Sequence, residues 1–254
     1  MSQQVDASRI PELKDVVSRA LDSARRAGAT QAEADASLQQ GLSVSVRLGE
    51  VETVEYQRDR ALGITVYFGH RKGSASTGDL SAQSVEDMVA KACAIARHTA
   101  EDECAGLADP ALLQTQFRDL HLDFPWELSA DAAVELAREC EAAGRAVDTR
   151  LSNSEGASVS SQRGVRVYGN THGFLAGDCG TSHSLSCVLL AQVGEDMQRD
   201  YWYTSARDPR DLEAAELVGR RAGQRAIARL GARRLPTGPA QVVLAPEVAR
   251  GFIG

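Results

Sequence analysis

The residue types able to do chemistry in this chain are few and widely spaced. The five histidines are His70, His98, His121, His172 and His183, and none begins an HExxH motif. That motif places two imidazoles one helical turn apart on zinc, with the glutamate as general base. The densest group of metal-ligand types is His172, Cys179, His183 and Cys187. On a helix the last three would share a face and could approach one ion. The surrounding sequence, DCGTSHSLSCVLL at 178–190, reads as a strand instead. Residues four apart on a strand lie roughly 13 Å from each other, whereas zinc ligands sit at about 2.0–2.3 Å from the metal. These residues therefore read as small and polar side chains on a strand face.

Nucleophile and phosphate motifs are also incomplete. GNTHG at 169–173 has the spacing of a nucleophile elbow, which needs a strand, a sharp turn and then a helix. The following residues, FLAG, lead back into β-structure, so the segment predicts a hairpin turn. GSASTG at 73–78 has the glycine spacing of a phosphate loop, but Asp79 stands where lysine is required and would repel phosphate. The acidic positions Glu50, Glu52 and Glu55 read as a solvated strand face, and Glu101, Asp102 and Glu103 as an exposed loop. Arg220, Arg221, Arg225, Arg229, Arg233 and Arg234 read as a solvated basic helix end. No catalytic, cofactor-binding or metal-ligating residue is assigned from these patterns.

The elements that would position such residues follow from periodicity. Residues 10–27 repeat apolar positions at three- and four-residue spacing, with Pro11 in the first turn and Gly28 beyond the last. Strands are expected over 42–48, 51–56, 62–68 and 71–77, with turns at Gly49-Glu50 and Gly69-His70. A helix over 84–98 follows, capped by Asp79 or Ser81. Residues 101–125 read as a connector with one short helical turn. Ser129 caps a helix over 130–147, and a second β region runs from 151 to 204. Its expected turns are Arg163-Gly164, Gly169-Asn170 and 194–196. A helix over 211–230 ends at Gly231, 241–245 reads as a short buried strand, and Pro246 opens another element.

Antiparallel hairpins with segregated helices predict an α+β fold, with layered antiparallel sheet and helices on one side. The order suggests two α-β4-α-like halves, a pseudo-repeat over 1–125 and 126–235 within one domain, 1–235. Residues 236–254 would begin a further, β-rich domain that this chain truncates. The many Ser, Thr and Gly residues in the strands predict that one sheet face is thinly covered.

Composition narrows the classes. With 28 Lys+Arg against 35 Asp+Glu the formal net charge is −7, which disfavours nucleic-acid binding. No apolar run approaches the roughly 20 residues of a membrane-spanning helix, so no membrane partner is expected. The five cysteines form no CxxC, and the N-terminal residues lack a secretory pattern. Both point to reduced thiols in the cytoplasm.

Several segments resemble the PmbA (TldE) branch of the TldD/PmbA family. They are GLSVSVRLGEVE at 41–52, LGITVYFGHRKGSASTGDLS at 62–81 and GLAD at 106–109, then SNSEG at 152–156, Gly173-Phe174 and VLAPEVA at 243–249. The resemblance implies a bacterial cytoplasmic subunit that pairs with a TldD-type subunit. The heterodimer would be a zinc metalloprotease acting on small or unfolded peptides, including the leaders of peptide antibiotics such as microcins. In the TldD type an HExxxH helix supplies the metal ligands. The corresponding segment here, PEVARGFIG at 246–254, holds Glu247 but no histidine. The resemblance thus implies a non-catalytic subunit with zinc in its partner and none in this chain. Full-length relatives are about twice as long. The alternative is a non-proteolytic binding or regulatory protein, in keeping with the family's older label as modulators of DNA gyrase. A free-standing metal site at His172, Cys179, His183 and Cys187 is the third reading.

Overall fold

A computed structural model describes residues 5–114 and 116–253 of the chain. Helix α1 (Ile10–Arg26) leads into strands β1 (Gln31–Arg47), β2 (Glu50–Phe68) and β3 (Arg71–Thr77), then helix α2 (Ala82–His98). After the connector come helix α3 (Ala130–Arg145), strands β4 (Asn153–Asn170), β5 (Leu175–Val193) and β6 (Asp196–Ala206), and helix α4 (Ala215–Ala228). A four-residue helix, α5 (Pro246–Ala249), lies near the end.

The six strands make one antiparallel sheet in the order β3-β2-β1-β4-β5-β6. The α+β expectation holds, with a difference in strand count. The segments 51–56 and 62–68 are not separate strands but two ends of β2, which continues through 57–61. Each half is therefore α-β-β-β-α, and β1 pairs with β4 where the halves meet. Arg163-Gly164 is not a turn; it lies within β4, opposite Gln40 and Gln39 of β1. Residues 241–245 are exposed and form no strand, because no neighbour among the described residues supplies a ladder for their backbone.

All four long helices cover one face. Alternation decides which residues they bury: Ala32, Ala34, Ala36 and Leu38, then Leu42, Val44 and Val46 of β1, and Val165, Val167, Val159 and Ala157 of β4. Helices α1 and α2 cover one core, which includes Leu13, Val17, Val85, Val89, Ile64 and Val66. Helices α3 and α4 cover the other, which includes Ala137, Val218, Leu185 and Leu189. The caps agree with the sequence. The Ser81 and Ser129 hydroxyls accept from Ser84 N and Ala132 N at 3.4 and 3.1 Å. Gly28 carries φ +87° beyond α1.

Two close contacts set helix positions. Glu141 of α3 is 1% exposed, and its two carboxylate oxygens accept from Leu48 N and Gly49 N, both at 2.8 Å. This clasp holds the β1–β2 turn, where Leu48 carries φ +54°, a region costly for a side-chain-bearing residue. Helices α3 and α4 meet backbone to backbone: a Cβ added to Gly219 would lie 1.9 Å from Cys140 O. Gly219→Ala must push the helices apart, and a loss of about 3 kcal/mol is expected, the upper end for overpacking. Glu141→Ala leaves two turn amides without their acceptor and is expected to cost about 1–3 kcal/mol. Urea unfolding of both variants measures these losses.

Candidate functional site

The residue types that suggested chemistry are dispersed by the fold; His183 is engaged in structural bonds, while the buried Nδ1 of His172 has no hydrogen-bond partner among the described residues. His172 lies in the β4–β5 turn, while Cys179, His183 and Cys187 are strung along β5. Among the described residues no three His, Cys, Asp or Glu side chains gather where they could hold a metal ion. His183 is 1% exposed and uses both ring nitrogens. Its Nε2 lies 3.0 Å from the Phe124 carbonyl oxygen, so that nitrogen carries the proton and donates. Nδ1 is then the acceptor, and the Ser161 hydroxyl donates to it across 3.0 Å. Trp126 packs its ring edge-on against the imidazole.

This is a serine–histidine pair without the rest of an acyl-transfer site. The imidazole points its donor at a main-chain carbonyl rather than a carboxylate. Attack needs the thiolate, and three of the five cysteines are biased toward the thiol. Burial pushes the Cys93 and Cys179 thiols up, and the Cys187 thiol is raised first by its hydrogen bond with Cys140 and then by burial. This donor set does not fit zinc. Glu247 of the 246–254 segment lies 3.6 Å from Arg225 as an ion pair.

GNTHG forms the expected hairpin turn. Thr171 N donates to Ala32 O at 2.9 Å, and its hydroxyl accepts from Ala32 N at 3.0 Å, so the hydroxyl is tied to β1. GSASTG forms β3 and the entry to α2, with Asp79 accepting from Ser81 N at 3.0 Å. The basic helix end is mostly paired within the chain. Asp200 takes Arg225 and Arg229 at 3.3 and 3.5 Å, and Arg221 and Arg225 lie over the Trp202 ring.

The polar groups that the fold does bring together lie on the sheet face opposite the helices. Glu33 of β1 accepts from Tyr67 of β2 at 3.0 Å and from Tyr168 of β4 at 2.9 Å, one tyrosine on each oxygen. Beside it Asp35 pairs with Arg166 at 3.3 Å. Glu33, Asp35, Arg166 and Tyr168, together with Gly63, Thr65 and Ser74, line an open cavity of about 450 Å³. The glycine and serine floor and the fixed carboxylates make a polar surface suited to binding rather than bond breaking. This group is not legible in the local sequence because residues 31–41 carry only weak strand character. The available signal was Gln31, Glu33, Asp35 and Ser37 alternating with Ala32, Ala34 and Ala36.

The Glu33 cluster leaves a titration signature. Burial and then the Glu33 hydrogen bond push Tyr67 from 10.0 up to about 12. A tyrosine raised in the folded state supports folding fully below the unfolded value near 10, and this support fades as pH rises through about 12. Glu33→Gln is expected to move the Tyr67 titration down, but not fully to 10, because burial remains the larger cause. Ultraviolet absorbance of tyrosinate against pH, with Tyr67→Phe as the assignment control, reads the shift.

With this geometry in view, comparison with known proteins places the chain. Residues 32–96 match the PmbA/TldA metallopeptidase domain 1 and residues 123–230 match the PmbA/TldA metallopeptidase central domain. Metalloprotease PmbA of Escherichia coli O157:H7 is 47% identical over 251 residues, covering 99% of this chain and 55% of that protein. A Metalloprotease PmbA homolog of Haemophilus influenzae is 41% identical over 242 residues, covering 95% of this chain and 53% of that protein. The chain thus spans about half the length of these relatives. A putative modulator of DNA gyrase from Bacteroides thetaiotaomicron superposes with TM-score 0.80 at 23% identity, over 89% of this chain and 52% of the other. TldE from Thermococcus kodakarensis superposes with TM-score 0.67 at 18% identity, over 84% and 47%. These two structures share the fold. On the two domain matches and the identity to PmbA, the chain belongs to the PmbA/TldE family.

Proposed function

We propose that the chain is the amino-terminal part of a non-catalytic subunit that works with a TldD-type partner as a zinc metalloprotease. The pair would act on small or unfolded peptides, including peptide-antibiotic leaders, in the cytoplasm. The observation that carries the reading is the 47% identity to a Metalloprotease PmbA along 99% of the chain. The non-catalytic role is supported by the engagement of His183, Ser161 and Glu247 in bonds within the chain. In this division of labour the partner's zinc supplies the Lewis acid and activated water. This chain supplies a rigid sheet with an open polar face. No helix is long and apolar enough to cross a membrane among the described residues.

The test is cleavage of an unfolded casein-type substrate and of a leader peptide by the full-length protein with and without its partner. Cleavage is expected only with the partner present, and a chelator is expected to abolish it. Cleavage by this subunit alone in chelator would overturn the non-catalytic reading. Partner-dependent peptide binding without any cleavage would favour a regulatory protein instead.

A further inference from the structure

Arg166 lines three adjoining open cavities on the sheet face opposite the helices. The first is the Glu33 hollow over β1, β2 and β3. The second, of about 350 Å³, lies over β1, β4 and β5, with Gln39, Gln162, Ser182 and Arg207 in its lining. The third has Tyr168, Phe174 and Phe117 in its wall. The first two cavities carry opposite charge.

Arg207 borders the second cavity. Its Nη1 donates to Thr181 O at 3.1 Å, and its own carbonyl accepts from the Thr181 hydroxyl at 2.8 Å, so Thr181 fixes both its side chain and its backbone. Arg207 makes no ion pair among the described residues. Arg166 makes one, with Asp35 at 3.3 Å, and its side chain is 65% exposed. Asp178 lines the same cavity opposite Arg166 in the register, so two guanidinium groups face one carboxylate there. Room for a ligand comes from Gly164 opposite Gly180: a Cβ on Gly180 would stand 3.3 Å from Arg207 Nη1.

At the first cavity the balance reverses, because Glu33 and Asp35 share the single Arg166. Tyr67 and Tyr168 hold the Glu33 carboxylate in place. Asp35 gives Oδ2 to Arg166, while its Oδ1 lies toward position 63, where a Cβ would stand 3.3 Å away. Glycine at 63 leaves that oxygen open to the hollow. The two ends lie four residues apart along the strands and two strands apart across them, roughly 16 Å. An extended chain covers at most about 3.3–3.6 Å per residue, so about five residues bridge the span. A short peptide carries an ammonium at one end and a carboxylate at the other, in the same order as the two cavities.

We infer that this face binds short peptides by both termini, with the amino terminus at Asp35 and Glu33 and the carboxyl terminus at Arg207 and Arg166. The ammonium donates to Asp35 Oδ1, and the carboxylate accepts from the guanidinium groups as charge-assisted hydrogen bonds. The inference rests on the peptide-handling reading above for the class of ligand. It concerns binding by this chain without a partner. Loss of end-dependent binding with partner-dependent cleavage intact overturns this inference alone, and end-dependent binding without cleavage overturns that reading alone.

The experiment titrates the 254-residue chain with an unlabelled pentapeptide of alanine and serine, free at both ends, by calorimetry at low salt. Saturable binding is expected. Acetylating the amino terminus or amidating the carboxyl terminus is expected to weaken it about threefold or more, the scale of exposed charge pairs. Peptides of three and of eight residues are expected to bind more weakly than five. Asp35→Asn is expected to remove the penalty for acetylation and leave the penalty for amidation, and Arg207→Gln to do the reverse, a pattern that a merely structural role would not produce. Unchanged urea midpoints confirm that both variants fold, and the peptide series on the unaltered chain tests the inference without them. Absence of saturable binding, indifference to both end blocks, or penalties that survive both substitutions would overturn the assignment. An end-blocked pentapeptide with lysine first and glutamate last is expected to bind more weakly than the free-ended one. Equal binding would overturn terminal recognition and give the face to charged side chains.

Discussion

The rest of the fold depends on the pairing of β1 with β4. From Glu33 opposite Asn170 to Val46 opposite Ala157 the register runs without a shift. It joins two α-β-β-β-α halves into one sheet and fixes which side of every strand faces helices. Side-chain direction alternates at each residue, so a one-residue slip would turn the apolar set of either strand outward. Ala32, Ala34, Ala36, Leu38, Val44 and Val46 are all buried because the register keeps them on the helix side with Val159, Val165 and Val167. The same constraint delivers Glu33, Asp35, Arg166 and Tyr168 together on the other side. Core and candidate surface are two consequences of one ladder.

The halves are not equal. Their cores are separate, with the connector crossing at the seam. There Arg163 of β4 takes both oxygens of Asp123, with Nε to Oδ1 at 2.8 Å. His183 and Thr181 hold Phe124 and Leu122 from the neighbouring strand. A polar seam of this kind must be fully bonded, because an unpaired polar group away from water is costly. The connector is therefore part of the second half's structure as well as a link. Among the described residues no strand pairs with the first half of β2 on the side away from β1. The difference between the halves follows from chain order: only one connector lies between them.

The sequence displayed the helices and the fold class plainly. Residues 10–27 carried both the apolar stripe and its terminal Gly28, and Ser81 and Ser129 cap as their types predict. The strands were less legible for particular reasons. Gln57 to Ala61 contains three charged residues in five and reads as a break, yet it is held in β2 by pairing with 37–41 of β1. The beginning of β1 was hidden because its buried positions are alanines, which alternate weakly in hydropathy and favour helices intrinsically. Arg163-Gly164 has the look of a turn but is paired on both sides by longer ladders. In each case non-local pairing overrode the local signal. The Glu33 cluster was unreadable for the same reason, since Tyr67 and Tyr168 reach it only across two strand pairings.

The residues most suggestive of catalysis are those the fold uses as fasteners. Ser161, His183 and Thr181 join strands to the connector, and Thr171 joins a turn to β1. A nucleophile must be free to attack and its base free to take a proton, but these groups spend their lone pairs and protons on one another and on main-chain atoms. What remains available lies elsewhere, on a polar sheet face organised by Glu33 and Asp35. Backbone amides and short polar side chains bind an extended chain without distinguishing its sequence strongly, because the main chain is common to all peptides. On the proposed division of labour, a surface of that kind would suit unfolded and varied substrates while bond cleavage is housed in the partner.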